Sequence, residues 1–243
     1  MIADLRALWQ QAFGDSEETL DAFFATGFSP DRCHYLTENG VIVSTLYWFD
    51  CQLNGQKLAY LYAVATDERY RGRGLARRLM TQTHAILKEK GYAGSILVPG
   101  SKELFDMYEK LGYRTVSSVK EFSSQQGSAP VALRQINAGQ YAVLRRQYLP
   151  KGGVRQEGAT LDFLQTCCQF YAGGDFLLAA AKEGDCLLAR ELLGNEKAAP
   201  GILRELGISK GQFRTPGNGR DFAMYLPLTD DCPVPAYFGL ALD

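Results

Sequence analysis

Apolar residues Leu5, Leu8, Trp9, Ala12 and Phe13 recur at spacings of three and four, the period of one helical face, and predict a helix over residues 3–13. Gly14-Asp15-Ser16 then supplies a stop followed by an N-cap, so a second helix is expected over 16–26. Beyond it the period shortens. Runs 33–37 and 41–50 flank Glu38-Asn39-Gly40 as strands flank a hairpin turn, and 57–66 follows Leu53-Asn54-Gly55-Gln56 as a third strand. Helical spacing returns over 75–90, with Leu75, Leu79, Thr83, Ile86 and Leu87 on one face. A short buried strand at 95–98, a helix over 104–111 closed by Gly112, and a strand over 113–122 complete this half. The polar stretch 123–130, carrying Gly127 and Pro130, reads as a linker.

The second half runs in a similar order. Helical patterns at 136–149 and 159–171 precede strands at 175–182 and 185–193, turned at Glu183-Gly184-Asp185. A helix at 197–206 and extended runs at 211–215 and 221–228 follow. Glu109-Lys110-Leu111-Gly112 and Arg204-Glu205-Leu206-Gly207 each end a helix and begin a strand, which suggests a two-fold pseudo-repeat. The expected fold class is α/β (α+β), with a mixed, mostly antiparallel sheet flanked by helices. Two units are expected, 1–125 and 131–243.

Charge narrows the function. Among 243 residues, 26 Lys and Arg balance 27 Asp and Glu, so the net charge is −1 and the basic excess of a nucleic-acid-coating protein is missing. The longest apolar stretches, 176–181 and 186–189, are too short for a bilayer, and no leader-like apolar run follows the amino terminus. Six cysteines without a C-x-x-C pair, and only His34 and His84, give no zinc pattern. Cys167 and Cys168 fall in an apolar helical pattern and are expected to be buried thiols, in keeping with a reducing cytoplasm.

The stretch with most chemistry is Val64-Ala65-Thr66-Asp67-Glu68-Arg69-Tyr70-Arg71-Gly72-Arg73-Gly74-Leu75-Ala76. A strand ends there in a glycine-bearing turn that opens onto a long helix. The first N–H groups of such a helix lack intrahelical partners, and the helix dipole adds partial positive charge, so the turn suits an anion. Gly72 and Gly74 let the backbone approach a guest closely. Arg69, Arg71, Arg73, Arg77 and Arg78 crowd this turn without an acid among residues 69–78. No P-loop G-x-x-x-x-G-K-[ST] is present, and the third glycine of a dinucleotide fingerprint is missing.

Arg71-Gly72-Arg73-Gly74-Leu75-Ala76 resembles the R/Q-x-x-G-x-G/A motif of the GCN5-related N-acetyltransferase (GNAT) superfamily. The preceding 61–64 strand and the 104–113 segment, which holds Tyr108, are similar to family segments, so the resemblance spans about residues 1–122. It implies an acyl-CoA N-acyltransferase fold, with two such units in tandem and the second degenerate, since no such turn occurs after residue 130. It further implies acetyl-CoA as co-substrate without a metal. The pyrophosphate would lie on backbone N–H groups of Arg71, Gly72, Arg73, Gly74, Leu75 and Ala76, with Arg77 beside them. The pantetheine arm would pair with main-chain groups near Val64, Ala65 and Thr66 in a wedge between the 57–66 and 95–98 strands. An N–H near Val64 would face the thioester oxygen. Tyr108 would be the general acid that protonates the departing thiolate.

No base stands out for the incoming amine: Glu68, Asp67 and Asp50 are candidates, and so are a terminal carboxylate on Asp243 and water. Tyr60 and Tyr62 share a strand face that could line a pocket for an apolar or aromatic amine. The expected acceptor is a primary amine of a small molecule or peptide, on a cytoplasmic monomer or homodimer with no nucleic-acid or membrane partner. The alternatives are a CoA-binding sensor without turnover and, against the net charge, a nucleic-acid binder.

Overall fold

The computed structural model describes residues 1–242. Helix α1 (Ile2–Phe13) stops at Gly14, whose left-handed φ of 69° turns the chain. Helix α2 (Glu17–Ala22) starts under the Ser16 side chain, which accepts the Thr19 N–H, and runs into a wide π turn at Phe23–Gly27. Strands β1 (Cys33–Glu38) and β2 (Val41–Leu53) are joined through Asn39 and Gly40 at φ 50° and 80°. Asn54 and Gly55, at 50° and 83°, join β2 to β3 (Gln56–Thr66) in the same way. Paired positive φ values are what a two-residue hairpin demands, and Asn-Gly meets the demand at least cost. Helix α3 (Leu75–Glu89), β4 (Gly94–Leu97), α4 (Lys102–Glu109) and β5 (Arg114–Gln125) follow.

The second half contributes β6 (Arg134–Ile136), α5 (Ala138–Tyr148), β7 (Arg155–Gln156), α6 (Ala159–Cys167), β8 (Gln169–Ala172), β9 (Phe176–Glu183), β10 (Cys186–Gly194), α7 (Ala199–Glu205), β11 (Lys210–Pro216) and β12 (Arg220–Pro227). Residues expected to prolong α6 to 171 instead leave it at Cys168 and pair with β9 as β8. The apolar run there suits either a buried helix end or a buried strand. Cys168 is buried as expected, but Cys167 is exposed at the helix end.

Among the described residues the strands form one sheet in the order β1-β2-β3-β4-β12-β5-β11-β10-β9-β8-β6, with β7 beside β2. Neighbours are antiparallel except β3 with β4 and β10 with β11. Each parallel pair is bridged by a helical crossover, α3 in one half and α7 in the other. The two halves exchange strands at the centre. Strand β12 sits between β4 and β5, and β5 sits between β12 and β11, an order consistent with two related units. In this arrangement α7 answers to α3 and α4 has no counterpart. The likeness of residues 109–112 to 204–207 is therefore a shared helix ending. In both, the N–H two residues past the last turn reaches back five positions (Tyr113 to Tyr108 O, Ile208 to Leu203 O), and Tyr92 to Leu87 O closes α3 identically.

Side chains alternate along β3 between two layers. Leu61 joins Leu75, Leu79 and Tyr108 under α3 and α4. Tyr60 joins Trp9, Phe23 and Phe163 on the face covered by α1, α2, α5 and α6, with Tyr62 packed against that cluster. The chain after β12 also lies on this second face. Phe238 exchanges hydrogen bonds with Ser117 Oγ, Gln156 Nε2 donates to Leu240 O at 2.6 Å, and Leu242 N–H donates to the Tyr60 hydroxyl at 3.1 Å. A buried network anchors this tail. Arg145, 2% exposed in its side chain, binds Glu191 at 2.6 and 2.9 Å, and Glu191 also accepts from the Tyr141 and Tyr237 hydroxyls. A buried pair this well satisfied holds geometry and becomes costly when one partner is removed.

Candidate functional site

Strands β3 and β4 pair only from Leu58–Gly94 to Tyr60–Ile96. Beyond Tyr60 they part. The register of β3 against β2 slips between Thr45 and Tyr47, opposite Ala63, whose φ of 49° marks a bulge. A cleft of about 390 Å³ occupies the gap. On the α3–α4 side it is lined by Val64, Leu104 and Tyr108, and on the opposite side by Trp9, Tyr62 and Leu242. The slot thus opens on both faces of the sheet.

At the end of β3 the chain makes a short 3₁₀ turn, Glu68–Tyr70, then the glycine turn and α3. Gly72 and Gly74 stand at φ 75° and 73°, a left-handed conformation that favours glycine. A Cβ built on either meets no heavy atom within 4 Å, so the demand comes from the backbone angle and the space above both remains open. Gly74 is the N-cap of α3 and brings no side chain to cap it, and no acid occupies the first turn. Arg78 donates to Gly74 O at 3.0 Å as the first i→i−4 bond, so the amides of Leu75, Ala76 and Arg77 precede the helical ladder. Leu75 is buried and ties this turn to the core, whereas Arg71, Gly72, Arg73, Gly74 and Arg77 are exposed.

The five arginines divide by partner. Arg69 grips Asp67 at 2.7 Å, Arg71 Nε donates to Thr66 O at 3.2 Å, and Arg73 meets Glu38 at 2.9 Å while lying over the Tyr70 ring. Arg77 and Arg78 make no ion pair among the described residues. Main-chain groups near the slot also differ in availability. Ala65 O accepts from Ser44 Oγ at 2.8 Å, and Thr66 O is taken by Arg71, while Val64 faces the cleft.

Tyr108 lies in the last turn of α4, 6% exposed, with its ring edge-on to Tyr113 at 5.7 Å. Its hydroxyl has no hydrogen-bond partner among the described residues, and burial pushes its pKa up to about 12. It stays protonated throughout the neutral range. Leu203, the position in α7 with the matching helix ending, packs in the core of the second half.

The candidate bases scatter. Asp67 is buried and its pKa is lowered by the Arg69 guanidinium, Glu68 is exposed in the 3₁₀ turn, and Asp50 is engaged by Tyr92, Lys57 and Arg32 toward the far end of β2. Asp243 lies outside the described residues. A different acid reaches the cleft. Asp15, which the sequence presents as part of a helix stop, lines it and accepts the Trp9 indole N–H at 2.7 Å. No spacing rule marks Asp15, because its place depends on how α1 docks on β3. Among the described residues no group of three or more His, Cys, Asp or Glu is gathered to hold a metal, and no helix is long and apolar enough to cross a membrane.

A sheet splayed beside a glycine turn that caps a helix defines a fold that supports acyl transfer. Residues 2–116 match the model of the acetyltransferase (GNAT) domain. No curated protein matches the chain by sequence. Among solved structures it is similar to a GCN5-related N-acetyltransferase from Kribbella flavida, with a TM-score of 0.70 and 18% identity over 92% of this chain and 68% of that one. A GCN5-related N-acetyltransferase from Anabaena variabilis gives 0.70 and 17% over 94% and 70%. Eis1 from Mycobacterium abscessus gives 0.66 and 11% over 92% and 70%. At these identities the likeness is one of fold, and it extends across both halves.

Proposed function

We propose that this protein is an N-acetyltransferase that moves the acetyl group of acetyl-CoA to a primary amine of a small molecule or peptide, by direct attack in a ternary complex. One observation carries the reading: the gap between β3 and β4 runs from an uncapped, acid-free helix start to the hydroxyl of Tyr108, a largely buried tyrosine whose hydroxyl has no partner among the described residues. The pyrophosphate lies on the amides of the turn from Arg71 to Ala76, with Arg77 at its side. The pantetheine arm lies along β3 beside Val64. Residues 1–125 are the catalytic unit. Residues 131–243 are a degenerate second unit that closes the slot from the other face with the 237–242 tail.

The chemistry balances with the groups at hand. The amine reaches the thioester after giving one proton to water. Its nitrogen attacks the carbonyl carbon, the C–N bond forms, and an N–H from the Val64 region stabilises the negative oxygen. The intermediate then collapses, the C–S bond breaks, and the sulfur leaves with the Tyr108 proton as CoA thiol. Tyr108 recovers a proton from the nitrogen, which becomes a neutral amide. Holding amine and thioester together supplies much of the acceleration.

Calorimetric titration with acetyl-CoA tests the binding site, alongside Ala76→Glu. A carboxylate in the first turn of α3 favours the helix dipole, so the variant keeps its melting temperature. The same charge repels a pyrophosphate, and the dissociation constant rises by about 10- to 100-fold. Equal affinity in the two proteins overturns the placement. CoA binding without thiol release for any amine leaves a sensor instead of an enzyme.

A further inference from the structure

The face of the cleft opposite α3 and α4 has a composition of its own. Trp9 is almost fully buried, with the Tyr62 ring 5.5 Å away and Phe13 5.9 Å away. Tyr62 is the centre of this wall, touching Tyr60, Phe49 and Phe163 at 5.8–6.4 Å. Burial raises the Tyr62 pKa, so it offers a neutral ring. Phe13 is 47% exposed at the rim, where core packing gives no account of it. Asp15 is the one charged side chain among the described residues that line the cleft. Its Oδ2 is held by the Trp9 indole, and its Oδ1 has no partner among the described residues.

A lone, oriented carboxylate amid aromatic rings recognises one positive charge on an apolar body. The ammonium pairs with the carboxylate and lies against ring faces, and the body covers the rest of the wall. A volume of about 390 Å³, part of it needed by the thioester end, suits a single ring system on a short arm. Among the described residues that line the cleft, a second ligand cation would gain no second acid. We infer that the acceptor is a hydrophobic primary monoamine of the arylalkylamine kind, selected by Asp15, Trp9, Phe13 and Tyr62. This rests on the transferase reading for its turnover, though not for its binding. The ammonium is the bound form, and the amine that attacks has passed one proton to water.

Two measurements on the full chain decide it. Thiol release at saturating acetyl-CoA compares phenethylamine and tryptamine with spermidine, kanamycin and a lysine amide. The arylalkylamines give the highest kcat/KM, by 10-fold or more. Asp15→Asn, which keeps an acceptor for Trp9, raises KM for phenethylamine about 30-fold with kcat within about threefold. Phe13→Ala raises KM for tryptamine and spares propylamine. The second measurement needs no CoA: phenethylamine quenches tryptophan fluorescence saturably, the neutral 2-phenylethanol does not, and Asp15→Asn abolishes the response. A preference for the polycations, or an unchanged KM in Asp15→Asn, overturns the inference and leaves the transferase standing. If acetyl-CoA fails to bind, the transferase reading falls, and saturable, Asp15-dependent amine binding alone sustains the inference while its absence ends it.

Discussion

Tyr108→Phe removes one oxygen atom and little else. The hydroxyl has no hydrogen-bond partner among the described residues, so its loss strands no donor or acceptor. The ring keeps its edge contact with Tyr113, and the helix end keeps the Tyr113 N–H to Tyr108 O bond at 3.1 Å. Stability therefore changes by less than about 1 kcal/mol. CoA affinity is unchanged, because the proposed anion site lies at the other end of the slot. General acid catalysis is worth roughly 10²- to 10⁴-fold, so the rate of the chemical step falls by at least about 100-fold, or about 3 kcal/mol of activation free energy. Burial holds the phenol near 12, so it remains protonated from pH 6 to 10 and the deficit is constant across that window. Single-turnover quench measurements with acetyl-CoA-loaded protein separate this step from product release. A single-turnover rate within threefold of the parent protein at every pH in that range refutes the assignment.

Two further outcomes follow from buried groups. Glu191→Gln leaves the Arg145 guanidinium with neutral acceptors in a site 2% exposed, costing about 3–5 kcal/mol and lowering the melting temperature by about 10 °C. A penalty below about 1 kcal/mol in urea unfolding rejects the account. His84, packed against Tyr113 with its ring 2.8 Å from that hydroxyl, has its pKa lowered to about 4 by burial. The folded state disfavours the imidazolium, so its contribution is complete above pH 6.5 and drains away as pH falls toward 4. Relative to His84→Gln, the loss reaches about 3 kcal/mol. Parallel stability curves for the two proteins between pH 7 and 4 exclude it.

Local chemistry made much of the first half readable. Asn39-Gly40 and Asn54-Gly55 announced hairpins because few other residues adopt their backbone angles, and Gly72 and Gly74 announced the turn before α3 for the same reason. Helix α3 emerged within a residue of its expected end. Strands β6 and β7 escaped because three and two residues are too few to display a period, and β8 because its apolar run continues the pattern of α6. The arginine cluster looked like one anion cradle, but three of its members are spent on Asp67, Thr66 and Glu38, of which Glu38, 35 positions away, is brought near only by folding. Asp15 and Leu242 reach the cleft through docking of α1 and of the tail, which involves residues more than 40 positions away in the chain. Such placement leaves no local trace.

The central exchange of strands has a consequence for how the molecule is made on the ribosome. When β4 and β5 have emerged, the position between them is reserved for β12, which begins at Arg220. Until β12 has been synthesised, the first half carries two raw margins of unmatched amides and carbonyls. Its last assembly step closes contacts across more than 100 residues of sequence, the kind of long-range closure that makes maturation slow and exposes nascent chains to sticking. The sheets of the two halves are thus completed at the same moment.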